Sequence, residues 1–125
     1  MGESIQKLVF VVDDNNANLM VAAMALEEEY RVLTMPSAKK MFLLLEKKMP
    51  DLILLDVEMP EMTGLEAIVI LKENPQWKDI PVVFLTGWSD EKLVSDALKA
   101  GALDVINKPI VPESLRDSLR KYTDK

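Results

Sequence analysis

Cysteine and histidine are both absent from this chain of 125 residues. Without cysteine there is no disulfide and no thiolate metal site, which fits a cytoplasmic location. Without histidine there is no Ser–His or Cys–His catalysis, no zinc–histidine site and no histidine phosphodonor within the chain. No apolar stretch approaches the roughly 18 residues of a membrane span. The opening Met1-Gly2-Glu3-Ser4 is not expected to act as a signal peptide, nor do Gly2 and Ser4 complete an acylation motif. Positive charge is scarce as well: 15 Lys and Arg against 21 Asp and Glu leave a formal net charge of −6. A nucleic-acid backbone is gripped by a basic face, so direct nucleic-acid binding by this chain is not expected, and no membrane partner is expected either.

Apolar residues make up 49% of the chain and charged residues 29%, a balance that suits one globular domain with one core. Short apolar runs alternate with helical-period segments, the pattern of βαβ units. Strands are predicted at about 7–12, 31–35, 51–56, 81–85 and 103–107, and helices at about 16–28, 38–48, 65–73, 90–99 and 112–122. Leu19, Ala22, Ala23 and Leu26 form the inner face of the first helix; Met41, Phe42 and Leu45 form that of the second. Ser37 and Ser89 are expected caps, Gly101 a left-handed helix end, and Pro112 a first-turn proline. Asn74-Pro75 stops the third helix, because the residue before proline avoids helical geometry. Strands three and four are apolar on both faces, as central parallel strands must be. Right-handed crossovers then favour a doubly wound α/β sheet of five parallel strands in the order 2-1-3-4-5, flavodoxin-like, with five helices.

In that order the ends of strands one and three lie side by side, where open α/β sheets bind ligands. Asp13 and Asp14 end Leu8-Val9-Phe10-Val11-Val12, Asp56 ends Leu52-Ile53-Leu54-Leu55, and Lys108 follows Val105-Ile106-Asn107. Three crowded carboxylates repel one another and call for a hard divalent cation. Mg²⁺ fits best, with Mn²⁺ as the alternative, because it uses few carboxylates and keeps waters that a phosphate can replace. About −3 from the aspartates, +2 from the metal and +1 from the lysine leave a balanced pocket poised for a phosphoryl group. Plainer readings stand beside this one. Asp13 and Asp14 could cap the first helix, Thr86 could be an ordinary strand-end threonine, and Trp88 could merely cover a loop. The eight methionines read as packing. Lys39-Lys40 and Lys47-Lys48 read as solvated helix faces.

Five landmarks now align in order and spacing: Val12-Asp13-Asp14; Asp56 with Met59-Pro60-Glu61-Met62-Thr63-Gly64; Thr86; Ala100-Gly101-Ala102; and Lys108-Pro109. With them the chain resembles the receiver domain of two-component response regulators, over about residues 6–122 of a single 1–125 domain. The resemblance implies a phosphorylation-controlled switch and not an enzyme. Asp56 would accept a phosphoryl group from a sensor histidine kinase or phosphotransfer protein. Asp13 and Asp14 would hold Mg²⁺ with Asp56 and the backbone carbonyl of Glu58. Thr86 and Lys108 would each contact a phosphoryl oxygen, and the Lys108–Pro109 bond would be cis. The readout face would be helix 4, strand 5 and helix 5, which pairs receivers or binds targets in this family. Helix 4 is expected to pack through Leu93, Val94, Ala97 and Leu98.

Several positions depart from the family's common pattern. Val105 replaces a frequent aromatic, so the loop after strand four and helix 4 should carry the change. Glu58 and Trp88 flank the pocket where the family tunes dephosphorylation, and Thr63 replaces a frequent Asp. Three other functions remain open at this point. A haloacid-dehalogenase-type phosphatase usually has a second Asp two residues after its nucleophile; here that residue is Glu58. A flavodoxin-type flavin domain needs a phosphate cradle where this chain has Asp13-Asp14-Asn15-Asn16. A pseudo-receiver would bind partners without phosphorylation.

Overall fold

The computed structural model describes residues 6–88 and 90–124. Strand and helix alternate throughout: β1 (Leu8–Val12), α1 (Asn16–Leu26), β2 (Arg31–Met35), α2 (Ala38–Leu45), β3 (Leu52–Asp56), α3 (Gly64–Glu73), β4 (Val82–Thr86), α4 (Glu91–Lys99), β5 (Asp104–Asn107) and α5 (Pro112–Thr123). The five strands form one parallel sheet in the order β2-β1-β3-β4-β5. Every residue of β1, β3 and β4 is buried, because helices cover both faces. Side chains alternate across the sheet. Phe10, Ile53, Leu55 and Phe84 therefore pack with Met41, Ile68 and Ala97 of α2, α3 and α4. Val9, Leu52, Leu54, Val83 and Leu85 pack on the opposite face with Leu19 and Leu26 of α1 and Leu115 and Leu119 of α5.

Local chemistry sets the helix ends. The side chain of Asn15 accepts from the Asn18 N–H and caps α1; Ser37 does the same for α2 with Lys40. Thr63 and Glu66 form a reciprocal capping box at α3. That helix stops at Glu73, with Asn74 extended before Pro75, as the proline requires. Pro112 occupies the first turn of α5, and Gly101 is left-handed at φ 112° after α4.

Several expectations need adjustment. α1 ends at Leu26 and α2 at Leu45, two and three residues early, because the polar residues that follow leave the helical path as turns. Ala25 rather than Ala23 completes the buried face of α1. β4 extends through Thr86. The expected cap Ser89 lies outside the described residues; Asp90 caps α4 by accepting from the Leu93 N–H at 2.8 Å. Leu98 is 48% exposed and does not pack the core, so α4 is held mainly by buried Ala97 with Leu93 partly buried beside it. Trp77, expected before β4, is buried there and stacks on Phe42 with ring centroids 5.6 Å apart. No helix among the described residues is long and apolar enough to cross a membrane.

Candidate functional site

Adjacent strands β1 and β3 deliver carboxylates to one edge of the sheet. β1 stops at Val12, so Asp13 leaves the strand fully buried and Asp14 follows it exposed. Asp56 is the last residue of β3 and is 1% exposed. β5 ends at Asn107, and Lys108 follows with a cis bond to Pro109. The Lys108 ammonium lies 3.0 Å from Asp13 Oδ2 and 3.1 Å from Asp56 Oδ1. It thus bridges two buried carboxylates that would otherwise repel each other.

Gly64 makes this edge compact. Its N–H donates to the Val57 carbonyl at 2.8 Å. A Cβ built there would sit 2.4 Å from the Asp56 carbonyl oxygen and 2.9 Å from Val57 Cα. Only glycine lets the start of α3 approach the end of β3 this closely. The Glu58 N–H in turn donates to Asp56 Oδ1 at 3.3 Å.

The cap reading of the acidic pair is answered by the residue that follows. Asn15, not Asp13 or Asp14, caps α1, while Asp13 Oδ1 accepts from the Asn15 backbone N–H at 2.9 Å. An asparagine ahead of an apolar periodic run is a recognisable helix-start signal. Asp13 Oδ2 is buried and is held by the Lys108 ammonium at 3.0 Å. Asp13, Asp14 and Asp56 each offer an oxygen, and the three lie within 4.8 Å of one another. An all-oxygen donor set of two buried carboxylates and one exposed suits a hard cation such as Mg²⁺.

Burial pushes the Asp56 carboxyl up to about 6 from its ordinary 3.8; the Lys108 ammonium opposes that rise and the Asp13 charge adds to it. Burial alone would lower Lys108, but Asp13 and Asp56 together outweigh it and hold the ammonium above the usual lysine range. The site thus keeps one cation firmly charged against a carboxylate that is costly to ionise.

Thr86 ends β4 beside Asp56, fully buried, and its hydroxyl is turned onto its own loop. It donates to the Trp88 carbonyl at 2.6 Å and accepts from the Trp88 N–H at 3.0 Å. Trp88 itself is 69% exposed. A cleft of about 250 Å³ opens between Glu58, Thr86, Trp88 and the first turns of α4. Val105 is partly buried and its alkyl side chain packs against the core on the α4 side.

Residues 9–120 match the family model for the response regulator receiver domain. The chain belongs to that family. Relatives and solved structures agree. A probable cyclic di-GMP phosphodiesterase of Vibrio cholerae is 36% identical over 110 residues, which cover 88% of this receiver and 25% of that protein. The receiver therefore spans about a quarter of that relative's length, and the activity in its name is said of that protein alone. A 14.6 kDa protein of Leptolyngbya boryana is 35% identical over 115 residues, covering 91% of this receiver and 88% of that chain. The signal receiver domain of a histidine kinase from Syntrophus aciditrophicus superposes with a TM-score of 0.85 at 31% identity, over 94% of this receiver and 90% of that domain. The membership favours the signalling reading over the phosphatase and flavin readings. Receiver domains are in general switches rather than enzymes, and they take phosphoryl groups from histidine kinases or phosphotransfer proteins.

Proposed function

We propose that this receiver, as one domain over residues 1–125, is switched by phosphorylation of Asp56 and does not turn over a substrate. The phosphoryl donor is a sensor histidine kinase or phosphotransfer protein of the cytoplasm. One observation carries the proposal: Asp56 is buried at the strand edge within 3.1 Å of Lys108, whose ammonium also reaches Asp13.

Transfer asks little covalent chemistry of the protein beyond positioning and charge neutralisation. An Asp56 carboxylate oxygen forms the new bond to phosphorus as the phosphorus–nitrogen bond of the phosphohistidine breaks, and a proton goes to the departing imidazole. Asp13, Asp14, Asp56 and the Glu58 backbone carbonyl would hold Mg²⁺ or Mn²⁺, which supplies positive charge to the phosphoryl oxygens. Lys108 is already held charged at Asp56, so it can pair with a phosphoryl oxygen without reorganising. Asp13 keeps the lysine in place as Asp56 changes its charge.

The new group adds about −1.5 to −2 charge, going by other phosphorylated side chains. It attracts the Thr86 hydroxyl, whose one proton must leave the Trp88 carbonyl to reach it. The loop leading to α4 then moves, and with it the face of α4, β5 and α5. Leu98 on α4, Leu103 before β5 and Val111 before α5 are 48%, 45% and 55% exposed, so these elements offer apolar surface to a second receiver or an output partner. Its readout does not involve nucleic acid directly, as the net charge of −6 suggests.

Acetyl phosphate with Mg²⁺ should add one phosphoryl group, acid-stable and base-labile as an acyl phosphate must be. Asp56→Asn should abolish it. Robust labelling of that variant at another residue sinks the assignment.

A further inference from the structure

We infer that the open edge of β2, with the groove beside α2, binds an extended acidic segment of a partner protein by strand addition. Among the described residues β2 pairs with β1 alone and forms one edge of the sheet. The Arg31 N–H donates to the Lys7 carbonyl at 2.9 Å, and the Met35 carbonyl accepts from the Asp13 N–H at 3.2 Å. In a parallel ladder the N–H and C=O of one residue point to the same side. Residues 31, 33 and 35 therefore face β1, and the backbone groups of Val32 and Thr34 point outward. Such outward groups are what an added strand pairs with.

The groove beside this edge supplies the side-chain pockets. Its volume is about 590 Å³, and Thr34, Met35, Leu43 and Leu44 line it together with Lys40 and Lys47. Among the described residues no carboxylate lines it. Leu43 is 61% exposed and stands as the ridge of α2. Arg31 is exposed at the start of the strand. A second cavity of about 590 Å³ lies across Leu43, but Glu46 and Glu61 line it with only Lys39 opposing them. In a chain of net charge −6, the β2 side of α2 thus stands out as an apolar groove rimmed by cations. Charge complementarity selects an occupant whose apolar side chains alternate with Glu or Asp. Lysines also guard sheet edges against pairing with other chains; if that is all they do here, an acidic peptide will not bind.

The test uses the unphosphorylated full chain, so its failure leaves the role of Asp56 untouched. The probe is a synthetic octapeptide alternating valine and glutamate, followed by calorimetry and amide exchange; a valine–lysine peptide is the control. Binding of the acidic peptide alone, with new protection at the Val32 and Thr34 amides, is expected. It should weaken in about 1 M salt, where charges are screened beyond ~3 Å. Thr34→Pro removes one outward N–H, and proline is tolerated at such an edge position; it should weaken binding by about tenfold or more. Lys40→Glu with Lys47→Glu should do at least as much without touching the core. The inference is overturned by any of three results: no binding of the acidic peptide, binding that both variants leave unchanged, or concentration-dependent protection of Val32 and Thr34 without peptide, which would make a second copy the occupant.

Discussion

Thr86 and Trp88 hold each other in a closed pair: the Thr86 hydroxyl donates to the Trp88 carbonyl at 2.6 Å and accepts from the Trp88 N–H at 3.0 Å. A hydroxyl has a single proton, so donating it to a phosphoryl group must break the bond to the Trp88 carbonyl. A ligand shifts such an equilibrium only by its differential affinity for the two states, so the phosphoryl group must outbid this pair. Thr86→Ala frees the Trp88 backbone in every state, at about 1 kcal/mol of stability. Phosphorylation should remain, but the α4–β5–α5 face should no longer respond. Amide exchange with and without beryllofluoride checks this. In the native chain, protection should change along α4 and β5; changes confined to the carboxylate edge, or seen only on α2 and α3, contradict the coupling.

The two tryptophans report on different places. Trp88 is exposed beside the cleft at Thr86, whereas Trp77 is buried against Phe42 before β4. Mg²⁺ or beryllofluoride should therefore change the fluorescence, and Trp88→Phe should remove most of the change. Loss of the signal in Trp77→Phe instead means that the switch travels through the α2–α3 side.

Much of this layout is legible from residue order. Apolar runs ending in Asp13, Asp56 and Lys108 mark strand ends, and parallel order brings them together because side chains at one sheet edge share one end of the molecule. The cis bond at Lys108–Pro109 and the left-handed Gly101 also follow expectation. What escapes is decided by tertiary contact. The cap of α1 is Asn15, a role that the two acidic residues before it do not reveal. Nothing local to Leu98 says that α4 lies shallow and leaves it exposed. Thr86 reads as the first residue after strand four, and only the pairing with Asn107 places it in β4. The intimacy of Gly64 with the Asp56 carbonyl is a contact across the chain's turn that no spacing rule reveals.

Gly64→Ala tests that intimacy. The added Cβ meets backbone at 2.4 Å and 2.9 Å, which cannot swing aside as a flexible side chain can. Overpacking of this kind costs about 1–3 kcal/mol. Urea unfolding should show the loss, and Mg²⁺ binding should weaken because Asp56 and Glu58 shift. An alanine variant with native stability and native metal affinity would show that this turn is looser than the geometry states.

Asp56 carries a stability cost that depends on pH. Its carboxyl is raised from 3.8 to about 6, first by burial and then by Asp13, against the pull of Lys108. A raised acid favours the protonated fold, so its contribution is present below 3.8 and is lost as pH rises through about 6. Asp56→Asn has no such loss. In chelator-treated samples the variant should be the more stable protein at pH 7 to 8, by at most roughly 3 kcal/mol. The gap should narrow as the pH falls toward 4. A gap that stays constant across this range would mean that Asp56 titrates as an ordinary surface carboxylate.

The identity of the phosphorylated atom is the centre of the account. Acyl phosphates are reduced by borohydride to the alcohol, so a phosphorylated aspartate becomes homoserine. The chain is treated with acetyl phosphate and Mg²⁺, reduced, digested and sequenced by mass spectrometry. Homoserine at position 56, dependent on both reagents, is the predicted result. Homoserine at Asp13 or Asp14, or none at any position despite a folded, metal-loaded protein, would contradict it.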